Sequence, residues 1–109
     1  MLGQLLGSVN KERVLIYLSA RSRGYAREIA RFFGAPLSPI QRATEKLEQA
    51  GVLVSRSVGS TREYEFNPRY LARAELKALL DRALSFYPPK LREDLTIFRS
   101  RPRRKGKPV

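Results

Sequence analysis

The sequence predicts a mainly α-helical domain that carries one small β-hairpin, and three observations lead there. Residues 38–50 read as a complete short helix with start and stop signals at its two ends. A shorter apolar-periodic stretch precedes it across a Gly-containing turn, and two short runs around a second Gly turn follow it, the later one strictly alternating.

One hundred and nine residues suit one domain with a single modest core. There is no Cys and no His, which removes disulfides, Cys/His zinc sites, thiol nucleophiles and Ser-His or Cys-His pairs. No apolar run approaches the ~20 residues of a membrane span, and residues 1–7 lack the basic start and long apolar centre of a signal peptide, so a soluble cytoplasmic protein is expected. The net charge is +12, and its placement matters more than its size. Six of the 22 Lys/Arg and none of the 10 Asp/Glu fall in the last eleven residues, so half of the excess sits in a tail. A polyanionic partner is favoured, nucleic acid ahead of an anionic membrane or an acidic protein.

Leu2, Leu5 and Leu6 precede Gly7-Ser8, and their spacing fits either a cap on the core or a contact with a second subunit. A first helix is expected from Asn10 to Ser22, capped by Ser8 or Asn10, with Val14, Leu15 and Leu18 on its buried stripe. Ile16 and Tyr17 lie off that stripe and call for another apolar partner, either the C-terminal helix or a second copy of the chain. Arg23-Gly24 breaks the helix, Tyr25 fits a single extended pair, and Ala26 to Phe33 forms a second short helix ending at Gly34. Ile29, Ala30 and Phe33 make its apolar face, with Arg27 and Arg31 one turn apart on the other.

Gly34-Ala35-Pro36-Leu37 connects to the third helix, in which Ser38 is expected at the N-cap and Pro39 at the first helical position. Gln41 would complete a capping box, and Gly51 supplies the left-handed residue that ends helices. Ile40, Ala43 or Thr44, and Leu47 share the inner face, while Gln41, Arg42, Glu45 and Lys46 look outward. Bidentate Arg suits guanine and bidentate Gln suits adenine in the major groove, so this helix reads as a recognition helix and the pair of helices as a helix-turn-helix.

Val52 to Val58 and Arg62 to Phe66 flank Gly59-Ser60-Thr61, and Tyr64 and Phe66 alternate with Glu63 and Glu65. That is a β-hairpin, and a helix-turn-helix followed at once by a hairpin is a winged helix, its wing here spanning 52–66. Arg56 and Arg62 stand on the two arms near the tip, where they are expected to meet phosphate or a minor groove.

The segments AREIARFFG, LSPIQRATEKLEQAGVL and VSRSVGSTREYEFN together resemble the winged helix-turn-helix domains of ArsR-type transcriptional regulators over roughly residues 5–67. They are similar in particular to small stand-alone or nucleotidyltransferase-associated members. The resemblance implies duplex DNA binding by a homodimer, with Ser38, Pro39, Gln41, Arg42 and Lys46 at the groove. Two positions depart from the pattern: Ala26 stands where a Ser or Thr usually caps the second helix, and Thr44 where a core Leu is usual. Metal sensing through Cys or His does not carry over.

Asn67-Pro68 is expected to open a long helix to about Tyr87, with more apolar residues (Leu71, Leu76, Leu79, Leu80, Ala83, Leu84, Phe86, Tyr87) than one face holds. Residues 68–98 are therefore expected to dimerise, with a short terminal helix from Lys90 to Phe98 turning Leu91, Leu95 and Phe98 inward, and residues 99–109 to form a disordered basic tail. Asp81 and Asp94 are isolated, no Gly-rich phosphate loop or paired acids occur, and no enzyme, metal or cofactor is expected. The reading is a sequence-specific regulator of double-stranded DNA, with Arg27, Ser38, Pro39, Gln41, Arg42, Lys46, Arg56 and Arg62 at the interface. Its rival is a protein-interaction module, which Glu45 and Glu48 favour because carboxylates repel phosphate.

Overall fold

Ser8 begins the helix on which the rest of the chain is assembled. Its backbone is extended (φ −170°), and its Oγ accepts hydrogen bonds from the N–H of Asn10 (3.1 Å) and Lys11 (3.2 Å), satisfying two of the donors that a helix start leaves free. The computed structural model describes residues 2–100, with side chains to Thr96. In it α2 runs Val9–Arg21, preceded by a single turn, α1 (Gly3–Leu6). Every residue from Val14 to Ala20 is buried, the signature of a helix enclosed on all sides. The expected stripe of Val14, Leu15 and Leu18 is thus only part of the buried surface. Ile16 and Tyr17, each 0% exposed, are enclosed within one chain.

The elements around α2 are β1 (Arg23–Tyr25), α3 (Ala26–Phe33), α4 (Leu37–Gln49), β2 (Leu53–Val58), β3 (Thr61–Phe66), α5 (Arg73–Leu84) and α6 (Pro89–Ser100). α4 packs on one side of α2, and α5 and α6 wrap another. Leu80, Ala83 and Leu95 complete the core from the C-terminal helices. Arg21 fastens α6 to α2: its guanidinium donates to the carbonyls of Leu95 (3.3 Å) and Asp94 (2.9 Å) and to the Tyr17 hydroxyl (2.7 Å).

The sheet is antiparallel with order β1-β3-β2. Tyr25 is thus one of three paired residues and not a lone one. Gly24 opposes Tyr64, and a Cβ on it would lie 2.8 Å from Tyr17 Cε1, so only glycine lets the strand pass this close to the ring. Val58 pairs with Thr61, which leaves a two-residue turn of Gly59-Ser60 and draws Thr61 into the strand. Gly59 at φ +64° supplies the positive angle that a type II′ turn asks for at its first position.

Several expected boundaries move. α4 starts at Leu37 behind Pro36, whose extended backbone makes no side-chain cap, so Ser38 is the second helical residue and not the N-cap, and no capping box forms with Gln41. Pro39 is tolerated there because the N–H groups of the first turn have no intrahelical partner in any case. Helix α3 lacks a hydroxyl at Ala26, and Glu28 Oε1 instead accepts from the N–H of Tyr25 (3.2 Å). Thr44 is 1% exposed, and its Oγ1 donates to the Gln41 carbonyl (2.8 Å), so the polar departure in the core is satisfied.

The C-terminal end of α4 is as expected. Gly51 (φ +83°) lets its own N–H reach Glu48 O (2.9 Å) and that of Val52 reach Leu47 O (3.0 Å), a Schellman closure. After the wing, Asn67 does not cap a helix. Its Oδ1 accepts from Arg69 N (3.0 Å), its Nδ2 donates to Gly51 O (2.9 Å), and its N–H donates to Val52 O (2.9 Å). With Asn67 engaged backwards in this way the chain makes two turns before α5 begins at Arg73, and that helix ends at Leu84, short of Tyr87. Helix α6 continues to Ser100, beyond the expected end at Phe98, so residues 99 and 100 are helical and not tail. The side chain of Phe98 and the expected disorder of residues 101–109 lie outside the described residues.

Candidate nucleic-acid interface

The outer face of α4 presents Ser38, Gln41, Arg42, Glu45, Lys46 and Gln49 to solvent, and each is exposed. Because no capping box holds it, the Gln41 side chain stands clear of the helix start. The face is flanked by two concavities of different chemistry.

On one side α4 meets α3 and the wing. This groove is lined by Arg27, Gln41 and Glu45 from the helices and by Ser60, Thr61 and Arg62 from the hairpin, with Tyr64 at its floor. Strand alternation turns Arg62 inward with Tyr64, toward α4, whereas Arg56 lies on the opposite face opposite Glu63. The sequence expectation set both arginines beside the recognition helix, and the pleat separates them. Arg56 is held there: Nε and Nη2 both lie 3.1 Å from Glu63 Oε1. Arg62 Nη1 donates to Ser55 Oγ (3.0 Å), which in turn donates to Glu48 Oε2 (2.7 Å). Glu48 is thereby drawn to the base of the wing, and of the two carboxylates that favoured a protein partner only Glu45 remains on the exposed face.

On the other side α4 meets the junction of α1 and α2. This cleft is lined by Ser8, Asn10 and Lys11 together with Pro39, Arg42 and Lys46, and it contains no acid. Lys11 was not singled out in the sequence, although a signal existed: a cation in the first turn of a Ser-capped helix sits at the positive end of the dipole, where it is disfavoured unless an anion compensates it. Arg42 and Lys46 are like charges one turn apart, which is also unfavourable in isolation. Among the described residues none of these three cations forms an ion pair or a side-chain hydrogen bond.

Glu12, on the same turn of α2 but outside this cleft, is 3% exposed, and its carboxylate accepts from the N–H of Leu2 (3.0 Å) and from the hydroxyl of Tyr87 (2.5 Å). Burial pushes the Glu12 carboxyl up, but the hydrogen bonds it accepts, that of Tyr87 foremost, outweigh burial and hold it below its ordinary value. Burial and the same contact push the Tyr87 hydroxyl up. The Tyr17 hydroxyl is pushed up to about 12, by burial first and by the charge of Glu28 second.

Of the eight residues expected at an interface, Arg27, Gln41 and Arg62 come together in the wing groove and Pro39, Arg42 and Lys46 in the basic cleft. Ser38 is exposed on α4, and Arg56 faces away. Among the described residues there is no cluster of acids able to hold a metal ion and no helix long and apolar enough to cross a membrane.

A helix-turn-helix, a hairpin wing beside its second helix and helices covering the first define a mainly α winged helix-turn-helix fold. No protein-family model matches the chain, and no curated protein does. Among solved structures the fold is similar to that of the adhesin competence repressor AdcR from Streptococcus pyogenes, with a TM-score of 0.55 over 97% of this chain and 91% of that one, at 13% identity. The likeness establishes the winged helix-turn-helix architecture; it does not single out the ArsR type.

Proposed function

We propose that the chain is a DNA-binding transcription regulator that sets α4 in the major groove of a duplex and its wing on the adjacent backbone or minor groove. The observation that carries this reading is the uncapped, exposed outer face of α4, where Gln41 is free to read a base edge between two flanks that supply cations. That the structurally similar AdcR is a repressor agrees with it. Residues 101–109 add affinity without sequence preference, since five Lys/Arg and no acid lie there.

The regulator acts as a homodimer in this reading. Its support is apolar surface that one copy leaves uncovered: Leu5 is 71% exposed, Val9 53%, Leu71 98% and Phe86 65%. Val9 and Phe86 border a common groove with Phe33 and Leu91, so the starts of α2 and α6 share a face suited to a second copy. The test is a titration of the full chain against a random duplex and against a duplex selected from a random pool, at two salt concentrations. Salt-dependent binding with a clear preference for the selected site is expected, and absence of binding at low salt overturns the reading. Light scattering at micromolar concentration, with and without DNA, tests the dimer, which a monomer mass in both cases excludes.

A further inference from the structure

We propose that the cleft between the start of α2 and the flank of α4 is a phosphate site, in which Lys11, Arg42 and Lys46 clasp a phosphodiester of the DNA backbone. The inference rests on the DNA-binding reading and adds to it a site in which the start of α2, outside the helix-turn-helix and the wing, joins the flank of α4. It also gives Arg42 a backbone role in place of the base contact its sequence position suggested.

Four features of the cleft carry it. Its charged groups are all cationic and have no anionic partner among the described residues. The helix geometry works against that arrangement twice, through Lys11 at the positive end of α2 and through the like-charged pair Arg42 and Lys46. Its neutral polar groups offer donors as well: Asn10 Oδ1 is occupied by Arg13 Nη1 (2.9 Å), which leaves the Asn10 amide hydrogens as its free donors, and Ser8 Oγ already accepts two backbone N–H groups, which leaves its hydroxyl hydrogen to donate. A concavity of donors and cations is complementary to an oxyanion. Finally, the cleft opens onto the exposed face of α4, so a duplex whose groove receives Gln41 carries its backbone past Arg42. A nucleic-acid phosphate therefore fits the position better than a free anion.

Two measurements on the full chain test the site. The first is the slope of log affinity against log salt for a random duplex, in the parent, Lys11→Ala, Arg42→Ala and Lys46→Ala, with Lys90→Ala as a charge-matched control on α6. Each cleft variant is expected to lower affinity several-fold and to flatten the slope by about 0.9 for each phosphate that is no longer neutralised, and Lys90→Ala to leave it unchanged. The second is an NMR titration of the amides of Ser8–Lys11 and Arg42–Lys46 with inorganic phosphate, expected to shift them in the parent and not in Lys11→Ala/Lys46→Ala. Amide shifts in a chain that binds no duplex overturn the DNA reading and leave an anion site of another source. Shifts with DNA binding but unchanged slopes overturn the backbone assignment, and absence of both shifts and slope changes overturns the site.

Discussion

Both flanks of α4 carry cations, and the arginines of the wing differ from the cations of the cleft in what they are already doing. On the wing side Arg56 is paired with Glu63, and Arg62 is tied through Ser55 to Glu48. On the α1–α2 side Lys11, Arg42 and Lys46 face one another across a cleft that contains no acid. Exposed charge is therefore not the same as available charge. A wing arginine must give up a partner to meet phosphate, whereas the cleft cations gain one.

The sharpest way to break that comparison is to empty each flank in turn. The triple change Lys11→Ala/Arg42→Ala/Lys46→Ala is expected to flatten the salt slope of duplex binding by about 0.9, the share of the one phosphate that is no longer neutralised, and Arg56→Ala/Arg62→Ala by a smaller amount. Equal losses would show that the intramolecular pairs on the wing do not matter. Next in size is Gln41→Ala, expected to remove about 1–3 kcal/mol of discrimination between the selected and random duplexes with little change in slope. A uniform loss on both duplexes would remove Gln41 as a base reader. A smaller effect of opposite sign is expected from Glu63→Gln, which releases Arg56: binding should tighten and its slope steepen by a fraction of a unit. The stability cost should stay below about 1 kcal/mol because the Arg56 side chain is 65% exposed.

The smallest effect is one of pH. The Glu12 carboxyl lies below its ordinary value of 4.5 in the folded chain, so it contributes stability above that value and loses it as pH falls through its folded-state pKa. Melting temperatures of the parent and Glu12→Gln are expected to differ at neutral pH and to converge in acid. A constant gap would mean that the contacts of Glu12 with Leu2 and Tyr87 do not depend on that charge.

What could be read from the sequence was local. The wing was legible because alternation and a Gly turn act within a few residues, and so was the end of α4, because Gly51 alone permits the left-handed closure. The start of α4 was misplaced by two residues because Ser38-Pro39 is a good cap in isolation, while the turn at Gly34 delivers Pro36 to that position first. The start of α5 was misplaced because Asn67 has two possible uses, and its bond to Gly51, 16 residues earlier, is not a sequence-local one. Full burial of α2 depends on α5 and α6 packing against it and, for the Tyr17 ring, on Phe32 and Gly24, none of which the stripe within α2 encodes. The basic cleft was invisible for the same reason: Lys11 and Arg42 are far apart in the chain and meet only when α2 and α4 pack.

Asn67 joins the foot of the wing to the end of α4 by one side-chain and one backbone hydrogen bond, to Gly51 and Val52. Helix α4 and the hairpin are thereby tied into a single lever whose joint lies at residues 51–67. If the chain holds DNA as proposed, a signal that loosens that hold acts on the two together. It tilts the lever whole, against α2.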